Sequence, residues 1–119
     1  MHLTLKIKDL ALRTVIGLNE WERGKKQDVV VNIEFQFEAQ GAIEQDEIDL
    51  SVDYKKITKR VIQAVENSDF RMLEALAGFI LNLVMEDPRI IRATVEVDKP
   101  HSLRFARSVS ATVSATRQG

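Results

Sequence analysis

The sequence predicts an α+β domain whose mainly antiparallel sheet carries two helices on its apolar face. Three observations predict it. Apolar and polar residues alternate along runs near both ends of the chain, apolar residues recur every three or four positions in the middle, and 119 residues suit one core. Residues 1–119 read as a single domain.

Leu3, Leu5 and Ile7 alternate with Thr4, Lys6 and Lys8, and the pattern resumes beyond Asp9 as far as Ile16, where Gly17 ends it. Leu18 to Lys26, rich in charge around Trp21, reads as an exposed connection. Val29, Val31, Ile33, Phe35 and Phe37 then face one way while Asn32, Glu34 and Gln36 face the other, so the two runs are expected to pair as an antiparallel ribbon. Gly41 to Leu50 shows no period and reads as a solvated crossing.

From Ser51 the period changes. Tyr54, Ile57, Val61, Ala64 and Val65 recur at helical spacing, with Lys55, Lys56, Lys59 and Arg60 opposite, and Ser51 or Asp53 is placed to cap the first turn. Asn67, Ser68 and Asp69 break the helix and offer a second cap. Leu73, Leu76, Ala77, Ile80, Leu83 and Val84 make a more apolar helix that ends by Pro88. Ile91 to Val97 and Val109 to Ala115 complete a four-stranded sheet. Its second face presents Asn32, Glu34, Gln36, Thr94, Glu96, Ser110 and Thr112, and is wet. That face suits either a monomer with one solvated side or copies joined edge to edge around a polar lumen.

With 17 basic and 18 acidic groups and a net charge of -1, nothing marks a nucleic-acid binder. The absence of cysteine excludes disulfides and thiolate metal sites and fits a reducing cytoplasm. His2 and His101 fall in no metal-ligand spacing, so no metal is expected. No apolar run approaches the ~20 residues that span a bilayer, and an unprocessed soluble protein without membrane partners is expected.

Four positions combine reactive chemistry with a structured context. Lys99 ends the alternating run Ala93, Val95, Val97 and is followed by Pro100, which fixes an ammonium at a strand mouth. Glu74 lies in the first turn of the more apolar helix, where amide dipoles favour an anion. Tyr54 opens the other helix, and Glu22 stands beside Trp21 in the charged loop. Taken singly, each is more often a solvated charge or a core hydroxyl than a catalyst. No phosphate-cradling glycine motif or nucleophile elbow accompanies them, which leaves acid/base chemistry without a cofactor.

At these residues the chain resembles the dihydroneopterin aldolase family, nearly end to end. The matching pieces are Ile16-Gly17 with Glu22 and Gln27-Asp28, Asp53-Tyr54, Leu73-Glu74, and Asp98-Lys99-Pro100. Within the family, Leu12 to Gly17 and the stretch from Asp98 to Ser110 are more similar to the dihydroneopterin triphosphate 2'-epimerase branch, whereas Asn19-Glu20-Trp21-Glu22 looks closer to the aldolases.

The resemblance implies the tunnelling fold, in which sheets join into a barrel and rings stack, usually as a homo-octamer with sites at subunit boundaries. It implies that Glu74 grips the aminopyrimidine edge of a pterin, helped by backbone groups near Leu73 and Asp53. It also implies that Lys99 handles side-chain protons, that Tyr54 holds a reacting hydroxyl, and that Glu22 and Gln27 reach the side chain from a neighbouring protomer. His101, Arg104 and Arg107 follow the lysine with a titratable imidazole and two fixed positive charges and are expected to favour a phosphorylated substrate. The implied activity is reversible retro-aldol chemistry at C2' of 7,8-dihydroneopterin or its triphosphate, chiefly epimerisation with some cleavage. Two alternatives are an aldolase proper, which releases 6-hydroxymethyl-7,8-dihydropterin and glycolaldehyde, and a catalytically silent pterin- or purine-binding assembly module.

Overall fold

The long ribbon expected from the first two alternating runs is present in the computed structural model, which describes residues 1–118. Strand β1 (His2–Ile16) pairs antiparallel with β2 (Lys26–Glu38), from His2 against Glu38 to Val15 against Lys26. One extra residue on β1 between Ile7 and Leu10 makes a bulge, with Asp9 at φ 55° and its amide donating to Asn32 Oδ1 at 2.8 Å. The bulge moves the inward positions from odd to even numbers, so Leu3, Leu5 and Ile7 are followed on the core side by Leu10, Leu12, Thr14 and Ile16.

After β2 come a short helix α1 (Gln40–Gln45), helix α2 (Tyr54–Glu66), strand β3 (Asp69–Phe70), helix α3 (Leu73–Val84), and strands β4 (Ile90–Pro100) and β5 (Ser108–Thr116). Among the described residues the sheet has five strands in the order β3-β1-β2-β4-β5. The expectation of a four-stranded antiparallel sheet with two helices is therefore corrected, although the α+β class stands. The added strand runs parallel to β1, pairing Val15 with Asp69 and Ile16 with Phe70, which makes the sheet mixed. Two residues are too few to display an alternation, and α1, at six residues, is too short to display a helical period.

Both longer helices cover one face. Val61 and Val65 of α2 and Leu76, Ala77, Ile80, Leu81 and Val84 of α3 are buried against Val29, Val31, Ile33, Phe35, Ala93, Val95 and Val97. Asp53 caps α2, accepting from the amides of Lys55 at 3.0 Å and Lys56 at 3.4 Å. The cap expected of Asn67, Ser68 or Asp69 for α3 is not used: Met72 is its N-cap and contributes no side-chain hydrogen bond. Instead Ser68 bonds to the buried Thr14 hydroxyl at 3.0 Å and so ties the end of α2 to β1. No helix among the described residues is long and apolar enough to cross a membrane.

Candidate active site

The register gathers one end of every central strand. Val15 and Ile16 end β1, Lys26 and Gln27 begin β2, and Asp98 to Pro100 end β4 at the same end of the sheet. β3 lies there too, and α3 starts three residues after Phe70, so Leu73 and Glu74 enter the same region.

Between β1 and β2 the chain makes a single 3-10 turn, Glu20–Glu22, and Glu22 is only 4% exposed despite its charged neighbours. Gly17 explains how. It adopts φ +143°, and a Cβ built there would lie 2.3 Å from Glu22 Cδ, so any larger residue would occupy the carboxylate's place. The Glu22 carboxylate tucks over the glycine and is saturated with donors. Its Oε1 accepts from the Asn19 amide at 3.2 Å and from Asn19 Nδ2 at 3.0 Å. Its Oε2 accepts from Gln27 Nε2 at 3.0 Å and from Lys99 Nζ at 2.5 Å. Gln27 Nε2 also donates to Ile16 O at 2.8 Å, which locks the amide between strand and carboxylate.

The side chains of Glu22 and Lys99 are 5% and 12% exposed, so this is a nearly dry ion pair. The hydrogen bond from Lys99 holds the Glu22 carboxyl down at about 2 against the opposing push of burial, with further help from Gln27 and the Asn19 amide. A carboxylate ionised at neutral pH fixes the direction of the lysine ammonium and leaves its remaining N–H bonds free to meet a ligand. The β4–β5 hairpin is braced next to it, where Ser108 Oγ donates to Asp98 Oδ1 at 2.7 Å.

The other predicted residues divide in two groups. Leu73 is half-buried and Glu74 exposed in the first turn of α3, on the side of the domain that holds the ion pair. Asp53 and Tyr54 are elsewhere. They start α2, whose last turn adjoins β3, so a helix of 13 residues, roughly 20 Å long, separates them from the Glu22 end. Tyr54 is 47% exposed and borders a groove with Leu3, Phe37 and Ile48 at the far end of the ribbon. Glu22 and Gln27 thus meet Lys99 within one chain, and Asp53 and Tyr54 are the residues that stand apart. His101, Arg104 and Arg107 lie on the exposed loop that leaves β4, with Arg104 stacked 5.7 Å from the Phe105 ring centroid.

Gly17, Asn19 and Arg23 were not anticipated as parts of this site. Asn19 had a signal, the three-residue spacing to Glu22 of a capping box. Arg23 had none. Its guanidinium donates to Gly17 O at 3.2 Å, to Phe70 O at 3.3 Å and to the Asp69 carboxylate.

Comparison with known proteins places this geometry in a lineage. The family model for dihydroneopterin aldolase matches residues 5–114. The dihydroneopterin triphosphate 2'-epimerase of Pseudomonas aeruginosa is 47% identical over 113 residues, covering 95% of this chain and 92% of that one. The dihydroneopterin aldolase of Haemophilus influenzae is more distant, 25% identical over 87% of each chain. In structure, the Escherichia coli dihydroneopterin aldolase in complex with neopterin superimposes with a TM-score of 0.89 at 23% identity, covering 94% of this chain and 97% of that one. The greater likeness to the epimerase agrees with the reading of Leu12 to Gly17 and Asp98 to Ser110. The chain belongs to the dihydroneopterin aldolase family.

Proposed function

We propose that the protein is a pterin enzyme that acts at C2' of the trihydroxypropyl side chain of 7,8-dihydroneopterin triphosphate, chiefly inverting that centre and in part cleaving the C1'–C2' bond. The observation that carries the proposal is the dry Glu22–Lys99 pair at 2.5 Å, built at the end of the sheet where α3 brings in Leu73 and Glu74. The likeness to a 2'-epimerase at 47% identity supports the order of the two activities.

Glu74 accepts two parallel hydrogen bonds from the ring N–H and amino group of the pterin, and backbone groups near Leu73 complete the grip. At the other end of the cleft, the 2'-hydroxyl passes its proton to a water held by Lys99 and through it to solvent. The C1'–C2' bond breaks, C2' becomes an aldehyde, the bonding electrons form C1'=C6, and N5, which receives the former imine pair, takes up a proton from solvent to give the neutral enamine. The Lys99 ammonium, oriented by Glu22 and Gln27, stabilises negative charge as it develops. If the aldehyde rotates and the enamine attacks its other face, the original bond re-forms with C2' inverted. If C1' is protonated instead, 6-hydroxymethyl-7,8-dihydropterin and glycolaldehyde, or the ester of glycolaldehyde, leave.

Tyr54 and Asp53 lie too far from Lys99 to join it in one chain, which supports a site completed by a second copy, with Tyr54 of that copy holding a reacting hydroxyl. The exposed sheet edges, β5 and the first part of β1, and the polar face bearing Asn32, Glu34, Thr94 and Glu96 support closure of several copies into a ring, as in a homo-octamer. Arg104 and Arg107 supply positive charge, and His101 a hydrogen-bonding imidazole, on the loop after the lysine for the triphosphate.

Incubation with 7,8-dihydroneopterin and with its triphosphate, followed by chromatographic separation, tests the proposal. The 2' epimer is expected as the main product from the triphosphate, with a minor yield of 6-hydroxymethyl-7,8-dihydropterin. Recovery of both substrates unchanged would leave only a silent binder. Replacing Arg104 and Arg107 with alanine is expected to slow the triphosphate more than dihydroneopterin, and an equal effect on both removes the role given to the loop.

A further inference from the structure

Two parts of the site belong to different elements; Thr14 ties β1 to Ser68 ahead of β3, and among the described residues the Arg23 side chain alone bonds from the turn that carries Glu22 to β3. Glu22 sits on the β1–β2 turn and Glu74 on the first turn of α3. Between them the backbone supplies only the two-residue pairing of β1 with β3 and the bond from the Gly17 amide to Phe70 O at 3.2 Å. So short a parallel pairing is a weak hinge by itself.

Arg23 crosses this hinge. It directly follows Glu22, and its guanidinium spans from Gly17 O on one side to Phe70 O and the Asp69 carboxylate on the other. Phe70 is in turn seated against α3, its ring 5.1 Å from that of Phe79. A planar, multiply donating guanidinium suits this task, because it holds direction as well as distance through two backbone carbonyls beside the more exposed Asp69 carboxylate. The Arg23–Asp69 pair makes no contact with the Glu22 carboxylate, which is covered by Gly17 and held by Asn19, Gln27 and Lys99.

We propose that Arg23 is a positioning residue that fixes the span between the acid/base pair and the ring-gripping turn of α3, and that this span decides whether the cleaved aldehyde recombines or escapes. The inference rests on the proposed function above. While the enamine and the aldehyde coexist, inversion requires the aldehyde carbon to return to C1' after rotating, and cleavage requires only a proton at C1'. A rigid span keeps C1' facing the aldehyde. A loosened one gives protonation and departure more time.

The test compares wild type with Arg23→Ala and Asp69→Asn, with 7,8-dihydroneopterin triphosphate as substrate and neopterin as the binding probe. Ring affinity is expected to stay within about twofold, since Glu74 is untouched, while kcat falls roughly 10- to 100-fold as misplacement by a fraction of an ångström permits. The ratio of epimer to 6-hydroxymethyl-7,8-dihydropterin is expected to shift toward cleavage in both variants, less in Asp69→Asn. An unchanged ratio, or a parallel loss of affinity and kcat, overturns the proposal. Should Arg23→Ala fail to assemble, Asp69→Asn decides by the same criteria. Glu22→Gln in the same assay separates the two levels of the argument. Normal turnover by Glu22→Gln would sink the acid/base reading itself, whereas an inactive Glu22→Gln beside an unaltered Arg23→Ala product ratio would sink only the positioning role.

Discussion

Lys99 and Glu22 each depend on the other for their electrical environment. Glu22 has a carboxyl at about 2 in the folded protein against 4.5 for an unperturbed group. A carboxyl depressed by folding contributes stability that is complete above about pH 4.5 and fades as pH falls toward 2. Lys99→Ala removes the largest cause of that depression while burial continues to push the other way, so acid unfolding of the variant, followed by circular dichroism, is expected at higher pH than in wild type. Coincident acid transitions would show that the pair does not couple to folding. Gly17→Ala is expected to depress kcat and Tm together, because the new methyl group takes the space of the carboxylate. A fully active Gly17→Ala would mean that Glu22 need not lie where it does.

At the level of elements, the ribbon and the two longer helices were legible because each is long enough to show its period. The parity change at Asp9 could be followed as well, since Leu10, Leu12 and Ile16 resume the pattern after the bulge. β3 was hidden, being two residues whose strand character comes from the partner it meets. The burial of Glu22 was equally hidden. Leu18 to Lys26 has the composition of an exposed loop, and the carboxylate is enclosed only because a glycine five residues earlier leaves room and Lys99, 77 positions away, neutralises it. Lys99 itself was readable from the strand that ends in a proline. Its partnership with Glu22 was not, because spacing within a sequence does not reveal register. The elements also make their own prediction. Asp53→Ala removes the cap of α2 and is expected to lower stability by about 1 kcal/mol in denaturant unfolding. No change in the midpoint would show that the cap is redundant.

The whole molecule measures 52 × 25 × 25 Å, with the ion pair toward one end and Tyr54 at the other. On the proposed reading such a chain presents two incomplete halves of a site, which a head-to-tail contact between copies would unite. If so, Lys99→Ala and Tyr54→Ala, each inactive alone, are expected to recover roughly a quarter of wild-type turnover when unfolded together and reassembled at equal amounts, since random mixing unites intact halves at about one site in four. No recovery in particles shown to contain both chains would place Tyr54 outside the site. The most direct measurement is a crystal structure of the assembled protein with neopterin. The account predicts the ring on Glu74, the trihydroxypropyl chain within hydrogen-bonding reach of Lys99, and Tyr54 of a second copy closing the cleft. A ring bound away from Glu74, or a side chain directed away from Lys99, would contradict it.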